Sequence, residues 1–280
     1  MTSSNRIGII GGGFVGKATS LLSKDHVIYD LNPDLCVPPG ATLADVAQCP
    51  FIFICVPTPM KNDGSCFLGI VESVIRELRQ ITETKPILRS TVPVGTSSTY
   101  GCYFMPEFLT ERNWRHDIYH ASHWILGVDE KEDPFSETFQ KFLSRARQDG
   151  CILNDTLYVH STKEAELIKY FRNCFLATKV AFCNEMYTFC HALSINYETI
   201  RSTTVMDKRI GEFHTGVPGP DGKCGYGGTC FPKDMGSLIT QFHLQNTACP
   251  VLEAAQFRNT RIDRVEQDWK TDVGRAVIHE

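Results

Sequence analysis

The sequence predicts an α/β protein in which a parallel-sheet domain is followed by an all-α domain with a long central helix. In the first part of the chain, short apolar runs alternate with amphipathic helical stretches, a pattern typical of a parallel sheet with helices on its faces. Residues 162–192 then contain no glycine or proline and are apolar nearly all round, which predicts one long helix. We therefore expect a first domain over residues 1–160 and a helical second domain over residues 161–280.

Each element is predicted from its own apolar pattern. Apolar runs predict strands at residues 6–10, 26–30, 51–55, 86–90, 102–105, 124–128 and 157–160. Helical periodicity predicts helices at residues 14–24, 68–81, 132–147, 162–192, 197–205, 234–245 and 250–267. Ser161 and Thr162 precede Glu164 and Glu166, a capping pattern that marks the start of the long helix. At about 45 Å that helix is longer than one small domain covers, so we expect a buried spine that packs against a second copy in a homodimer.

Composition excludes several classes of function. The chain of 280 residues has a formal net charge of -4, so no global positive field attracts nucleic acid or an anionic membrane. The longest purely apolar run, residues 51–56, is far too short to span a bilayer. The twelve cysteines include no Cys-x-x-Cys pair, which predicts no metal site and mostly buried, reduced thiols. We expect a cytoplasmic protein.

A glycine-rich turn indicates a dinucleotide site. Gly11, Gly13 and Gly16 form a Gly-x-Gly-x-x-Gly pattern between the first predicted strand and the first predicted helix. The first glycine permits a tight turn, the second lets backbone approach a pyrophosphate, and the third lets helix and strand pack closely. Asp30 ends the next predicted strand, where a carboxylate accepts ribose hydroxyls and repels a 2′-phosphate. The pattern predicts a Rossmann-type domain that binds NAD rather than NADP, and the alternative is a glycine-rich turn without a ligand.

A second glycine-rich segment, residues 225–234, holds a candidate nucleophile. Cys230 stands beside Lys233 and just before a predicted helix that Asp234 is placed to cap. An electropositive setting of this kind lowers the pKa of a thiol, which a nucleophilic cysteine needs. The sequence leaves open an ordinary capped turn in which Cys230 is a bystander.

Three polar residues of the long helix are predicted to share one face. Glu166, Lys169 and Asn173 have the spacing that places side chains above one another along a helix. On so apolar a helix these polar groups would be costly without partners. The alternative for Lys169 is an ordinary solvated position.

Taken together, these segments resemble the UDP-glucose/GDP-mannose dehydrogenase family. The most specific matches are the cysteine segment at residues 225–234 and the Ser-Thr-Val-Pro-Val-Gly-Thr segment at residues 90–96. Further matches occur in family order at residues 10–16, 55–59, 106–109, 165–170 with Asn173, and 209–211. The resemblance implies an NAD-dependent, four-electron oxidation of the C6 alcohol of a nucleotide sugar, UDP-glucose above all, to the uronic acid. The intermediates implied are a thiohemiacetal and a thioester on the cysteine.

The resemblance also implies roles for individual residues. The catalytic set is Cys230 as nucleophile, Lys169 at the oxyanion, Asn173 beside the reacting oxygen, Asp234 as orienter of water or proton acceptor, and Glu107 and Thr91 in hydrolysis. The cofactor contacts are Gly11, Gly13, Phe14, Val15, Gly16, Asp30, Thr58, Thr91 and Lys233. The substrate contacts are Phe108, Leu109, Glu111, Tyr226, Gly227 and Arg209, the last of which would reach the substrate of the neighbouring subunit.

The sequence departs from the family where the substrate is held. The family has a further C-terminal domain that grips the nucleotide, whereas this sequence stops at Glu280. Against the resemblance, this sequence is either a fragment of a longer chain or a natural short form that lacks the nucleotide-sugar-binding domain. Arg112 replaces the family's glycine after Pro-Glu-Phe-Leu-x-Glu, which suggests a different fit to the sugar.

Two other functions remain open from the sequence. A two-electron β-hydroxyacid dehydrogenase also joins a Rossmann-type domain to a long helix with lysine and asparagine one turn apart, but it needs no nucleophilic cysteine. A scaffold subunit that binds NAD without catalysis is the alternative outside enzymes.

Overall fold

The structure is a computed structural model that describes residues 5–130 and 133–278. The chain divides into two compact units. The first comprises the chain up to Thr58 together with Leu68–Lys169, and the second comprises Pro59–Phe67 together with the chain from Tyr170 onwards. The division falls inside the long helix, whereas the sequence placed the boundary near residue 160.

A seven-stranded sheet forms the centre of the first unit. Its order is β2-β1-β3-β4-β5-β6-β7, and every neighbouring pair is parallel except β5 and β6, where Phe104 pairs antiparallel with Gly127. The predicted parallel sheet is confirmed with this one exception, a mixture that is common in large sheets. The strands are β1 (Ile7–Ile10), β2 (His26–Tyr29), β3 (Phe51–Ile54), β4 (Ile87–Leu88), β5 (Tyr103–Phe104), β6 (Trp124–Val128) and β7 (Leu157–Ser161).

Helices connect these strands and cover the sheet. They are α1 (Phe14–Ser20), α2 (Leu43–Ala47), α3 (Gly69–Leu78), α4 (Thr96–Thr99), α5 (Trp114–Tyr119) and α6 (Phe135–Gln148). The first, third and sixth were predicted, although α1 ends at Ser20 instead of at residue 24. For the sixth, the predicted start at residue 132 lies outside the described residues. The other three were missed because helices of one or two turns are too short to show a helical period. For α2 the cap was visible, since Thr42 and Asp45 form a reciprocal capping box.

Four helices dominate the chain after the sheet: α7 (Thr162–Ala192), α8 (Tyr197–Thr204), α9 (Phe231–Leu244) and α10 (Pro250–Arg258). The predicted bounds of α7 are confirmed, and so is its cap. Glu164 Oε2 accepts a hydrogen bond from the Ser161 N–H at 2.8 Å, and Ser161 Oγ accepts one from the Glu164 N–H at 3.3 Å. The sequence therefore located both ends of the longest helix.

Two other helix boundaries were predicted wrongly. Helix α9 begins at Phe231 rather than at Asp234, because Pro232 suits the first turn of a helix, where its missing N–H is not needed. Cys230 is therefore the N-cap residue, and the prediction that Asp234 caps this helix is wrong. Helix α10 ends at Arg258 and continues as a π-helical turn, so the predicted helix over residues 250–267 is interrupted.

Helix α7 is buried on one side only within this chain. Its Cys174, Ala177 and Ala181 join the core of the second unit. The opposite side leaves four phenylalanines between 57% and 71% exposed, namely Phe171, Phe175, Phe182 and Phe189. The single chain therefore covers only one side of this helix, and the expected packing of the other side against a second copy stays a prediction. Despite such apolar side chains, no helix among the described residues is long and apolar enough to cross a bilayer.

Candidate active site

Three glycines shape the turn between β1 and α1. Gly11 has a φ of 101°, in the left-handed region that side chains disfavour. A Cβ on Gly16 would lie 1.8 Å from the Gly11 carbonyl oxygen, so helix and turn pack more closely than a side chain permits. A Cβ on Gly13 would meet nothing within 4 Å. The turn is therefore tight at its first glycine, open at its second and closely packed at its third.

Asp30 lies just after β2 and is fixed against this turn. Its Oδ2 accepts a hydrogen bond from the Gly12 N–H at 2.6 Å, and its Oδ1 accepts one from the Asn32 N–H at 2.8 Å. Phe14 and Val15 follow as the half-buried first residues of α1. A carboxylate at the strand end, beside a glycine turn with an open side, fits the ribose and pyrophosphate of a dinucleotide. The residues present thus suit the cofactor that the sequence predicted.

A buried ion pair joins the start of α7 to the segment after β5. Lys169 Nζ donates hydrogen bonds to Glu107 Oε1 at 2.6 Å and to the Glu107 carbonyl oxygen at 2.7 Å. The two side chains are only 3% and 5% exposed. Burial opposes the charge of Glu107, but the Lys169 ammonium, the Leu109 N–H and Arg89 together hold the pKa of this carboxyl below its ordinary value. The predicted catalytic pair is therefore in contact, and Lys169 is not a solvated lysine.

Arg89 was missed by the sequence analysis. It follows β4, is 2% exposed, and interacts electrostatically with Glu107 and Cys55. Its Nε and Nη1 find no hydrogen-bond partner among the described residues. The signal was available, because a charged residue directly after a short buried strand needs a local reason. Thr58 Oγ1 donates a hydrogen bond of 2.7 Å to the carbonyl oxygen of Thr91, and both residues are predicted cofactor contacts.

Glu166, one turn before Lys169 on α7, binds backbone groups instead of a charged side chain. Its carboxylate accepts hydrogen bonds from the Gly95 N–H at 2.5 Å and from the Ser97 N–H at 2.7 Å. Burial raises the pKa of Glu166, although these N–H groups act in the opposite direction. The residue therefore anchors the backbone of the Ser-Thr-Val-Pro-Val-Gly-Thr segment to α7.

In the second unit, Cys230 precedes a cluster of three polar side chains. Asp234 Oδ2 accepts a hydrogen bond from Asn173 Nδ2 at 2.6 Å, and Asp234 Oδ1 accepts one from Lys233 Nζ at 2.7 Å. Burial disfavours the ammonium, but Asp234 and the Cys230 sulfur raise the pKa of Lys233 above its ordinary value. Cys230 itself is half-buried, with the Thr229 hydroxyl 3.8 Å from its Sγ. A permanent cation therefore stands beside the predicted nucleophile.

Residues far away in sequence hold the backbone of the cysteine segment. The Asn259 amide accepts a hydrogen bond of 2.7 Å from the Tyr226 N–H and donates one of 2.9 Å to the Tyr226 carbonyl oxygen. Asn184 Oδ1 accepts one from the Gly225 N–H at 3.0 Å. A Cβ on Gly227 would lie 2.6 Å from the guanidinium carbon of Arg264. None of these three supports was predicted, because nothing local links α7 or the π-helical turn to this segment.

Tyr226 has a structural position. Its side chain is 4% exposed and lies in the core of the second unit. Both of its backbone polar groups are already bonded to Asn259. These contacts favour a role in shaping the segment, so a direct contact to substrate stays only a prediction for this residue.

The other predicted substrate residues vary in exposure. Phe108 lies with its ring centroid 5.8 Å from Lys169 Nζ, and Glu111 is exposed. Arg209 is 90% exposed on its side chain and pairs with Asp207. The backbone beyond it is held by Lys179, whose Nζ donates hydrogen bonds to the carbonyl groups of Ile210, Gly211 and Phe213. Arg209 is therefore presented to solvent from a well-anchored loop.

Comparison with protein families matches two domains of one family. The model described as "UDP-glucose/GDP-mannose dehydrogenase family, NAD binding domain" matches residues 41–143. The model described as the central domain of the same family matches residues 163–261. Together the two matches cover more than half of the chain, in the order in which the sequence motifs occur.

Curated proteins that resemble this chain in sequence belong to the same family as the two matching domains. The chain is 32% identical over 243 residues to a UDP-glucose 6-dehydrogenase of Pseudomonas aeruginosa. The aligned region covers 79% of this chain and 51% of the relative. It is 31% identical over 214 residues to the UDP-glucose 6-dehydrogenase YwqF of Bacillus subtilis. That alignment covers 69% of this chain and 44% of the relative. The chain thus spans about half the length of the curated relatives it matches.

Solved structures share the fold. A UDP-glucose dehydrogenase from Pyrobaculum islandicum superposes with a TM-score of 0.76 at 24% identity, over 91% of this chain and 68% of that one. A 3-hydroxyisobutyrate dehydrogenase from Mycobacterium tuberculosis superposes with a TM-score of 0.65 at 16% identity, over 98% of this chain and 96% of that one. At these identities the likeness concerns the fold alone.

Proposed function

Because this chain belongs to the UDP-glucose/GDP-mannose dehydrogenase family, we propose that it is an NAD-dependent nucleotide-sugar dehydrogenase with UDP-glucose as its first candidate substrate. The observation that carries the proposal is the match of both family domains, and it is supported by Cys230, Lys169 and Asn173, which lie in the segments that resemble the family's motifs. The product would be the uronic acid, formed by two successive oxidations at C6.

The glycine turn supports the cofactor assignment. Gly13 offers the open approach that a pyrophosphate needs, and Asp30 offers the acceptor that a ribose needs. The negative charge of Asp30 would disfavour a 2′-phosphate. When bound, NAD supplies a hydride acceptor for each oxidation. The protein's part is to orient that cofactor and the sugar.

Cys230 would make the second oxidation possible. Its sulfur would add to the C6 aldehyde left by the first oxidation, and the former carbonyl oxygen would take a proton to give a thiohemiacetal. Loss of a hydride and a proton from that adduct gives a thioester. Water then attacks the thioester carbon, and the C–S bond breaks to release the acid and the thiol. Covalent capture would also keep the reactive aldehyde from escaping.

The polar side chains around these groups fit supporting roles. The buried Lys169 ammonium would stabilise negative oxygen during each addition, since charge stabilisation is strongest where water is excluded. Asn173, held by Asp234, would orient the reacting oxygen. Asp234 and Glu107 would serve as carboxylates for hydrolysis, with Thr91 as a further contact to the water. Lys233 would favour the thiolate form of Cys230.

We also propose that the chain acts as a homodimer. The four exposed phenylalanines of α7 form an apolar side of a kind that soluble proteins cover. A second copy of the same helix would bury it, and the exposed Arg209 would then be able to reach the partner's substrate. Sedimentation with Phe175→Asp and Phe182→Asp would test this, because both substitutions should yield monomers.

The reaction is tested by counting NADH against sugar consumed. Protein is incubated with NAD and a panel of nucleotide sugars, with absorbance and product analysis followed together. Two NADH per sugar, with a uronic acid as product, is the expected result. Tight NAD binding without NADH from any nucleotide sugar would contradict the proposal and favour a scaffold.

A second candidate is a two-electron β-hydroxyacid dehydrogenase. The observation in its favour is that α7 carries Lys169 and, one turn later, Asn173. Enzymes of that class have a lysine and an asparagine with the same spacing. One NADH per molecule of a small hydroxyacid, with no reaction of nucleotide sugars, would be the outcome that favours it.

A further inference from the structure

Three potential metal ligands converge where α9 turns back into α10. The side chains are His243, Cys249 and Glu253, and one nitrogen, one sulfur and one oxygen atom lie within 4.8 Å of one another. His243 Nε2 is 2.7 Å from Glu253 Oε1 and 3.9 Å from Cys249 Sγ. Within residues 5–130 and 133–278, no other three His, Cys, Asp or Glu side chains converge in this way.

The backbone fixes this convergence. Helix α9 ends in a Schellman-type turn, in which the Thr247 N–H bonds to the Phe242 carbonyl oxygen at 2.9 Å and Asn246 has a φ of 51°. This turn reverses the chain, and Cys249 becomes the N-cap residue of α10. The Glu253 N–H bonds to the Cys249 carbonyl oxygen at 3.1 Å, so the two side chains stand one turn apart on the same face.

The three groups form a polar contact network with one another. The Cys249 residue is 6% exposed, and its burial together with the Glu253 carboxylate raises the pKa of the thiol. Glu253 also contacts the His243 imidazole. A divalent cation would reverse this preference, because its positive charge favours loss of the thiol proton.

We propose that His243, Cys249 and Glu253 bind one Zn²⁺ ion, with a water molecule as fourth ligand. Imidazole nitrogen, thiolate sulfur and carboxylate oxygen are the ligands zinc prefers, at about 2.0, 2.3 and 2.0 Å. Around a tetrahedral ion such atoms stand about 3.3–3.6 Å apart. His243 and Glu253 therefore need to separate slightly and Cys249 to approach slightly. On binding, the Cys249 thiol loses its proton to solvent, and the resulting thiolate sulfur bonds to the zinc ion.

The ion would be a structural link rather than a part of the oxidation. His243 lies in the last turn of α9, whereas Cys230 precedes its first residue, a separation of about 20 Å along the helix. Leu238 of α9 and Ala255 of α10 lie in one core cluster. A metal held by ligands from both helices would therefore brace that packing at the turn.

Cobalt is the probe that tests this site. Purified protein, stripped of metal with a chelator, is titrated with Co²⁺ alone, and a thiolate-to-cobalt absorption band should saturate at one ion per chain. Zn²⁺ should then remove the band and raise the Tm. Cys249→Ser should abolish the band, and His243→Asn and Glu253→Gln should each weaken Co²⁺ binding by about 10-fold or more.

Matched controls separate this site from the other thiols. Cys230→Ser and Cys151→Ser remove half-buried cysteines elsewhere, and both variants should keep the band and the Zn²⁺-induced rise in Tm. No band in the wild-type protein, a band that survives Cys249→Ser, or one that disappears in Cys230→Ser would overturn the proposal. Because absorbance and Tm need no sugar turnover, the outcome is independent of the proposed reaction.

Discussion

The glycine turn after β1 and the cysteine segment before α9 are both built on closely spaced glycines, but they are held in different ways. The turn packs closely on itself, since the Gly16 position meets the Gly11 carbonyl group, and the Asp30 side chain accepts a hydrogen bond from its Gly12 N–H. The cysteine segment is held by Asn184, Asn259 and Arg264, which are distant in sequence. Close packing between glycines of one short pattern therefore shapes the turn, whereas the cysteine segment depends on supports from α7 and from the chain after α10.

The largest loss of stability is expected for a substitution in the glycine turn after β1. Gly16→Ala would drive a Cβ into the Gly11 carbonyl oxygen, and since that atom is backbone, relief requires the helix to move. We expect a loss of about 4 kcal/mol or more in the free energy of unfolding, measured with urea. Gly13→Ala is the matched control, because its φ of -66° suits alanine and its Cβ meets open space. That control should lose no more than about 1 kcal/mol yet bind NAD at least about 10-fold more weakly; equal stabilities for the two variants would contradict this account.

The second largest loss of stability is expected at the ion pair of Glu107 and Lys169. This pair lies in the same unit as the glycine turn, but it joins residues that are distant in sequence. Glu107→Gln would leave the buried Lys169 ammonium without its main counter-charge, at a cost of about 3 kcal/mol near neutral pH. The pKa of Glu107 lies below its ordinary value of 4.5. Its charge therefore stabilises the fold fully above that value, and this stabilisation is lost as pH falls through the lower pKa of the folded state.

The stability difference between wild type and Glu107→Gln should accordingly shrink on acidification. Urea unfolding at a series of pH values checks this. A difference that is constant, or that grows below the ordinary glutamate pKa, would be incompatible with a paired carboxylate.

A smaller effect is expected at the cysteine segment. Asn259→Ala would leave both the N–H and the carbonyl group of Tyr226 without their buried partner, at a cost of about 2 kcal/mol. The segment should also open more often, so alkylation of Cys230, followed by peptide mass spectrometry, should accelerate. Thr260→Ala is the control, because its hydroxyl bonds only within its own helix. Unchanged Cys230 reactivity in Asn259→Ala would show that the segment is locally held after all.

The smallest effect on stability is expected at Arg209. Its side chain is exposed and pairs with Asp207, two residues away, so Arg209→Met should leave the Tm unchanged. If this arginine reaches the partner's substrate, KM for the nucleotide sugar should rise while kcat changes little. A KM equal to that of the wild type would remove Arg209 from the substrate contacts.

These differences explain what the sequence could predict. Strand positions, the bounds of α7 and the glycine turn follow from apolar period, capping and close packing, all of which are local. The start of α9 was misplaced because Asp234 resembles a cap, whereas Pro232 lies in the first turn and Asp234 instead pairs with Asn173 and Lys233. Asn184 and Asn259 became visible only when the fold brought their partners to them, whereas Arg89 could have been noticed as a charged residue directly after a short buried strand.

The ligand cluster at the turn from α9 to α10 shows the same limit. The absence of Cys-x-x-Cys predicted no metal site, and the spacing of His243, Cys249 and Glu253 matches no common zinc pattern. The three side chains are brought together by a helix-ending turn and one helical turn beyond it. Short motifs do not encode such a geometry.

The central claim is that Cys230 carries the sugar between its two oxidations. The most direct measurement is the ratio of NADH to uronic acid formed by wild type, Cys230→Ser and Cys151→Ser with the same nucleotide sugar. We predict two NADH per acid for wild type and for Cys151→Ser, and no acid from Cys230→Ser although that protein still folds and binds NAD. Uronic acid released by Cys230→Ser at the wild-type rate, with two NADH for each, would contradict the account.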